Sequence, residues 1–307
     1  MQTVICLLGP TASGKTPLAI QLVQHYPCEI ISVDSAMVYR GMNIGTAKPD
    51  AATLQLAPHR LIDCCDPAEI YSAGRFREDA LREIAAVHAA GKIPLLVGGT
   101  MMYFRILLQG LAALPRADAA IRQQLDERAA REGSEALHAE LAAIDPVAAA
   151  KIHVNDLQRI QRALEVFMLT KQPISSLQLA DTSPLAGFHV IQLALMPGSR
   201  ALLHERIAAR FQQMLAQGLV DEVRGLYQRG DLSIDLPSIR SVGYRQVWEY
   251  LAGHIDAAAM QENALAATRQ LAKRQITWLR TWPDCQLIES EAPDLLQQVS
   301  EIIKHID

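Results

Sequence analysis

The sequence predicts an α/β fold, a parallel sheet core with helices on both faces, into which a helical insertion is spliced before the last strand. Three features predict it. Short runs rich in Val, Ile and Leu recur between segments of helical spacing, the pattern of parallel strands buried on both faces. The first of these runs leads directly into a glycine-bearing loop and then a helix. Finally, the stretch from Leu114 to Ala186 holds no convincing strand and is rich in Ala, Glu, Gln and Arg.

In chain order, the predicted strands are Thr3–Leu8, Glu29–Val33, Arg60–Ile62, Ile93–Val97 and His189–Leu195. Between the early strands, Pro17–His25, Gly74–Ala90 and Thr100–Gln109 have helical length and apolar spacing. In the insertion, Asn155-Asp156 supplies an N-cap to a helix whose apolar positions are Leu157, Ile160, Leu164 and Phe167, with Gln158, Arg159 and Arg162 on its other face. From Ser199 onward the chain reads as wholly helical, ending in an acidic tail. The domains expected are a core of residues 1–113 and 187–307 and an insertion of residues 114–186.

The loop Gly9-Pro10-Thr11-Ala12-Ser13-Gly14-Lys15-Thr16 matches G-x-x-x-x-G-K-[ST] in the strand-to-helix setting that the motif needs. The core is therefore read as P-loop NTPase-like. Such a loop turns backbone N–H groups onto anionic oxygens, and the helix N-terminus adds its positive dipole end. Lys15 adds a full charge, and Thr16 offers a hydroxyl to Mg²⁺. Pro17 is compatible, because the first helical turn has no intrahelical use for that N–H. The motif specifies a nucleotide, polyphosphate or diphosphate ester, and leaves the reaction open.

Asp34 follows the second strand and should emerge at the carboxyl edge of the sheet, where ligands of open α/β sheets bind. A Mg²⁺ or water ligand, a general base, and a loop Asp that merely caps the turn through Ser35 are all compatible with that position.

Composition narrows the class. The chain has 307 residues, half of them hydrophobic, and a net charge of −4, which excludes an indiscriminately basic polyanion binder. Charge is nevertheless unevenly placed: Asp284–Asp307 holds six acidic residues and one lysine, whereas Leu236–Pro283 holds six basic and three acidic residues. Between Thr268 and Arg280 there are Arg269, Lys273, Arg274 and Arg280, no acid, and an interleaved Trp278. Together with Arg159/Arg162 and Arg240/Arg245, these faces favour a polyanion partner over a merely solvated surface. The five cysteines form neither a CxxC pair nor an even framework, so a reducing cytoplasm is expected and structural zinc is not. No apolar run is long enough for a membrane span, and no membrane partner is expected. His59 within Pro58-His59-Arg60 is read as supporting the fold.

The run Asp34-Ser35-Ala36-Met37-Val38-Tyr39-Arg40-Gly41-Met42-Asn43-Ile44-Gly45-Thr46-Ala47-Lys48-Pro49, close behind the phosphate loop, resembles the tRNA dimethylallyltransferase (tRNA isopentenyltransferase) family. Further similar blocks span nearly the whole chain: Pro58–Asp63, Val97–Thr100, Asn155–Glu165, Ile239–Gln246 and Lys273–Arg280. Where the family more often has Gly-Leu-Tyr or Met-Leu-Tyr, this chain has Met101-Met102-Tyr103, a conservative departure.

The resemblance implies transfer of the dimethylallyl group from dimethylallyl diphosphate to N6 of adenosine 37 in tRNA, giving N6-dimethylallyladenosine and diphosphate. It implies Mg²⁺ as cofactor, Asp34 as base on N6, and Thr11 and Arg206 as further catalytic residues. Arg206 reads equally well as a surface helix charge paired with a nearby acid. By similarity, tRNA contacts fall on Asp34, Ser35, Ala36 and Met37, on Thr100, on Arg122, and on Gln158, Arg159, Ile160, Gln161 and Arg162. They continue on Ile239, Arg240, Ser241, Val242, Gly243 and Tyr244, and on Lys273, Arg274, Gln275, Ile276, Thr277, Trp278, Leu279 and Arg280. A cytoplasmic monomer is expected. An ATP-dependent small-molecule kinase, a prenyltransferase of free nucleotides and a nucleotide-dependent RNA-binding switch are the competing readings.

Overall fold

The computed structural model describes residues 1–110, 112, 114–115, 117–177 and 183–304. The expected core boundary at residue 113, residues 116 and 178–182 of the expected insertion, and the acidic tail's final Asp307 lie outside them. The chain divides into two compact units, Met1–Leu108 with Pro184–Asp307, and Gln109–Ser183.

The larger unit begins with strand β1 (Thr3–Leu8), helix α1 (Lys15–His25), β2 (Cys28–Val33), α2 (Ala51–Leu56), β3 (His59–Arg60), α3 (Ala73–Ala89), β4 (Ile93–Gly98) and α4 (Met101–Leu108). The smaller unit contributes α5 (Ala119–Ile144), α6 (Pro146–Ala149), α7 (Leu157–Thr170) and α8 (Ile174–Leu177). The larger unit resumes with β5 (His189–Met196), α9 (Arg200–Ala216), α10 (Leu219–Tyr227), α11 (Tyr244–Leu251), α12 (Ala257–Arg280), β6 (Gln286–Glu289) and α13 (Leu295–Lys304).

The six strands form one parallel sheet in the order β3-β2-β4-β1-β5-β6. The central strands are buried along almost their whole length, which explains their unbroken apolar runs. Leu18 and Leu22 of α1 pack with Val299 and Ile303 of α13 onto Leu7, Ile30, Leu95 and Leu193.

The structure corrects two readings. The third strand is His59–Arg60 rather than Arg60–Ile62, because Leu61 and Asp63 take left-handed backbone conformations (φ 59° and 53°) that a strand cannot continue through. The region after Ser199 is not wholly helical, since Gln286–Glu289 adds the parallel edge strand β6. With only Ile288 buried and four residues in all, that strand lacks the apolar run that marks the others.

In the smaller unit, Asp156 caps α7 by accepting from Arg159 N–H, and α7 packs Ile160, Ala163 and Leu164 against Leu125, Leu137 and Leu141 of α5. Helix α5 breaks at Gly133, whose φ of 82° and ψ of 165° are not helical. Among the described residues no helix is long and apolar enough to cross a membrane.

Candidate active site

Parallel strands place their carboxyl ends on one edge of the sheet, so the loops after β1, β2 and β4 emerge side by side. They line one cavity of about 1040 Å³, walled further by α9, the 237–243 loop and α12.

Gly9 and Pro10 form the stem of the phosphate loop, and Thr11, Ala12, Ser13, Gly14, Lys15 and Thr16 face the cavity. Gly14 is the N-cap of α1 in a left-handed conformation (φ 86°) and offers no side-chain acceptor, so the first-turn N–H groups remain available to an anion. Lys15 Nζ donates to the Pro10 carbonyl at 2.6 Å. Burial, reinforced by the nearby Arg210 cation and opposed by Asp34, pulls the Lys15 ammonium down to about 7. Burial also lowers Arg210, against the attraction of Asp34. Two desolvated cations beside one carboxylate make a cavity short of negative charge.

Arg210 was not among the residues singled out in the sequence. The available signal was its spacing in His204-Glu205-Arg206-Ile207-Ala208-Ala209-Arg210, where Arg206 and Arg210 lie one turn apart on α9. Both line the cavity, but Arg206 is held by Glu291 at 2.7 Å, the surface pairing that the sequence left open.

Asp34 stands at the end of β2 as expected, and its Oδ1 accepts from Ala36 N–H (2.8 Å) and Met37 N–H (3.1 Å). This turn fixes the carboxylate at the cavity wall and leaves Oδ2 for another partner. Ser35, Ala36, Met37 and Thr100 line the same wall, where Ser35 N–H donates to Thr100 Oγ1 at 3.1 Å. His59, read as supporting the fold, also lines the cavity. Its Nδ1–H donates to the Ala57 carbonyl, and burial holds the ring below the usual histidine range.

Of the 239–244 block, Arg240, Ser241, Val242, Gly243 and Tyr244 line the cavity, whereas Ile239 is fully buried in the core. Tyr244 OH and the N–H groups of Asn43, Ile44 and Gly45 all donate to the Glu222 carboxylate, joining two walls that are distant in sequence.

Helix α12 divides its block similarly. Arg274 and Trp278 face the cavity, with the Arg105 guanidinium 5.9 Å from the Trp278 ring centre, while Lys273, Thr277 and Arg280 are exposed. Leu279 is buried, Ile276 packs beside Ala272, Leu203 and Ile207, and the Gln275 side chain bonds to the interior. Packing turns Leu279 and Ile276 inward, which corrects their reading as contacts, whereas Gln275 lines the cavity while its amide bonds Thr11 and Gly99.

The smaller unit treats its arginines differently again. Glu165, 1% exposed, accepts from Arg122 Nε (3.0 Å), Arg162 Nη1 (2.6 Å) and Asp118 N–H (2.9 Å). Arg162 also donates to the Pro115 carbonyl. Ile160 is fully buried, and Gln161 bonds Asp126. Ile160 therefore belongs to the unit's own core, which corrects its reading as an RNA contact, while Arg162 is half-buried and Arg122 stays exposed beside Glu165. Gln158 and Arg159 are exposed, the latter near Asp156 at 3.2 Å.

A model of the IPP transferase family matches residues 37–282. The chain belongs to this family. A tRNA dimethylallyltransferase of Thioalkalivibrio sulfidiphilus is 56% identical over 99% of this chain and 95% of the relative, and one of Coxiella burnetii is 55% identical over 99% and 97%. The structure is similar to that of a full-length tRNA isopentenylpyrophosphate transferase from Bacillus halodurans, 34% identical, with a TM-score of 0.74 over 99% of this chain and 96% of that one. A eukaryotic dimethylallyltransferase acting on tRNA, 25% identical, aligns with a TM-score of 0.83 over 99% and 79%. The family model begins after the phosphate loop and Asp34, which the full-length relatives span.

Proposed function

We propose that this chain transfers a dimethylallyl group from dimethylallyl diphosphate to N6 of adenosine 37 in tRNA. The observation that carries this reading is the cavity itself, with a phosphate loop, two half-buried cations and an available helix N-terminus together with a strand-end carboxylate. Its volume stands at the upper end of the range for small-ligand pockets, which suits a donor and an extruded base held together. Belonging to the IPP transferase family favours this over the kinase and switch readings.

In the reaction, the N6 lone pair attacks C1 of the allyl group, and the C1–O bond breaks with its electron pair leaving on diphosphate. Lys15, Arg210 and the loop N–H groups hold that charge with donors already in place around it. Asp34 takes the N6 proton, which offsets the poor nucleophilicity of an amine conjugated to the ring. Thr11 through its hydroxyl and Arg206 beside Glu291 complete the surroundings of the donor. Thr16 presents a hard hydroxyl oxygen to the cavity and, with oxygens of the diphosphate itself, would hold Mg²⁺, which would neutralise charge on the leaving group. Arg240, Arg274 and Trp278 at the wall, with Lys273 and Arg280 outside, form the surface offered to the anticodon loop. The enzyme is read as a monomer, and as cytoplasmic in keeping with its five free cysteines.

The test is incubation with labelled dimethylallyl diphosphate, Mg²⁺ and unmodified tRNA, with AMP and ATP as parallel acceptors. Label retained in tRNA alone is the expected result; label in AMP, or γ-phosphate transfer from ATP, would overturn the reading.

A further inference from the structure

Gln275 lies on α12 among residues that a sequence reading assigns to RNA, yet only 8% of it is exposed and its amide is spent inside the fold. Its Oε1 accepts from Thr11 N–H at 2.8 Å, and its Nε2 donates to the Gly99 carbonyl at 2.9 Å. Thr11 belongs to the phosphate loop. Gly99 precedes Thr100, whose Oγ1 accepts from Ser35 N–H and whose own N–H donates to the Val33 carbonyl at 3.3 Å. Val33 and Ser35 flank Asp34. One amide side chain thus ties the loop that holds the leaving group to the loop that holds the base.

The packing leaves this bridge little freedom. A Cβ at Gly98 would run into the Val33 backbone, and one at Gly99 would stand 2.5 Å from Gln275 Nε2 and 3.1 Å from the Gly9 carbonyl oxygen. The Gly98-Gly99 segment is a spacer of minimum thickness between β2 and the phosphate loop, and Gln275 closes it from the α12 side. Ala12 packs with Ala272 and Ile276, so the backbone of α12 near Gln275 is itself seated on the phosphate loop. A carboxylate could accept from Thr11 N–H but would repel the Gly99 carbonyl, and a lysine would repel the Thr11 N–H. The amide, donor at one end and acceptor at the other, satisfies both.

We propose that Gln275 is a positioning residue that sets the gap between the diphosphate cradle and Asp34, a role that rests on the transfer reaction proposed above. Allyl transfer needs C1 of the donor and N6 of the acceptor in line and near van der Waals separation, and a displacement of about 1 Å costs on the order of 10²-fold in rate. A residue that fixes the spacing of two loops acts on kcat and leaves the outer RNA surface alone.

The experiment compares Gln275→Met, Gln275→Glu, Gly99→Ala and the Gly99→Ala/Gln275→Met pair with the parent. Transfer is measured at saturating tRNA and dimethylallyl diphosphate, tRNA affinity by titration, and Tm on each chain. Each single variant should lose on the order of 10- to 100-fold in kcat with tRNA Kd within threefold of the parent. The pair should be no slower than its worse member, because both changes break one bridge. Gln275→Glu keeps the Thr11 bond and the side-chain volume, so it carries the test if the Met variant fails to fold. An active parent with kcat within threefold in Gln275→Met or Gln275→Glu, or a tRNA affinity that falls in step with kcat, would overturn the proposal alone. A parent that transfers nothing would overturn the reaction, and this role with it.

Discussion

The cations of the cavity and the arginines of the smaller unit are solved in opposite ways. Lys15 and Arg210 are desolvated with no ion pair to a side chain among the described residues, Asp34 acting on them only at a distance. Arg122 and Arg162 converge instead on Glu165, whose carboxylate also takes a backbone N–H. A buried cation without a paired carboxylate is costly and persists where a ligand supplies the missing charge. A cation that closes on a buried carboxylate has its partner already and belongs to the architecture. Arginine count and spacing do not distinguish the two, but the location of the counter-charge does.

The largest effect expected from that contrast lies at the carboxylate facing the cavity cations. Asp34→Asn should keep tRNA affinity and lose about 10²–10⁴ in transfer rate, the range for removal of a general base. Single-turnover kinetics with saturating tRNA measure it, and a rate within threefold of the parent would take the base role away from Asp34. Next comes the pair of arginines one turn apart on α9. Arg210→Gln should cost about 10²–10³ in kcat/KM for the donor, because it removes a charge aimed at the leaving group. Arg206→Gln should cost under about tenfold, since its guanidinium already has Glu291. Equal losses at the two positions would break the distinction between free and paired cations.

These residues also show what a linear sequence reveals. The phosphate loop was legible because its chemistry is local: eight consecutive residues build the cradle, and the neighbouring strand and helix place it. Asp34 was legible for the same reason, as the residue after a buried strand. The choice between Arg206 and Arg210 was not, because it depends on Glu291, which arrives from the far end of the chain. Leu279 and Ile160 read as RNA contacts only while their helix faces were unassigned, and Glu165 gave no hint that it would gather Arg122 from another helix. Strand β6 was missed because an edge strand with one buried side chain carries almost no apolar pattern.

The architectural side of the contrast has its own test. Burial pushes the Glu165 carboxyl up, but bonds from Arg162, the Asp118 N–H and Arg122 outweigh it and hold the group below the usual range. Its contribution to stability is therefore complete above the unfolded value near 4.5 and is lost as pH falls through the folded one. Glu165→Gln should destabilise the chain by about 2 kcal/mol at pH 7, a figure reduced for the partial exposure of Arg122. Urea unfolding should show that difference shrinking below about pH 4.5. Inorganic diphosphate binding should be unchanged, and a parallel loss of it would mean that the cluster serves the cavity as well.

The smallest effect expected is on the outer surface of α12, where exposed charge meets water and salt. Lys273 is exposed and Arg274 lines the cavity wall, so neither is committed to the interior as Gln275 and Leu279 are. Lys273→Ala with Arg274→Ala should weaken tRNA binding about tenfold near physiological salt and flatten the slope of log K against log salt by about 1 to 2, one step for each phosphate left without its cation. Diphosphate affinity should stay as in the parent. Separating the pair divides the effect: Lys273→Ala should change affinity alone, whereas Arg274→Ala should also lower the rate on bound tRNA, because its side chain faces the space in which the extruded base must sit. An unchanged salt slope in the double variant would place the RNA on a different face of the enzyme and leave Arg274 to the donor.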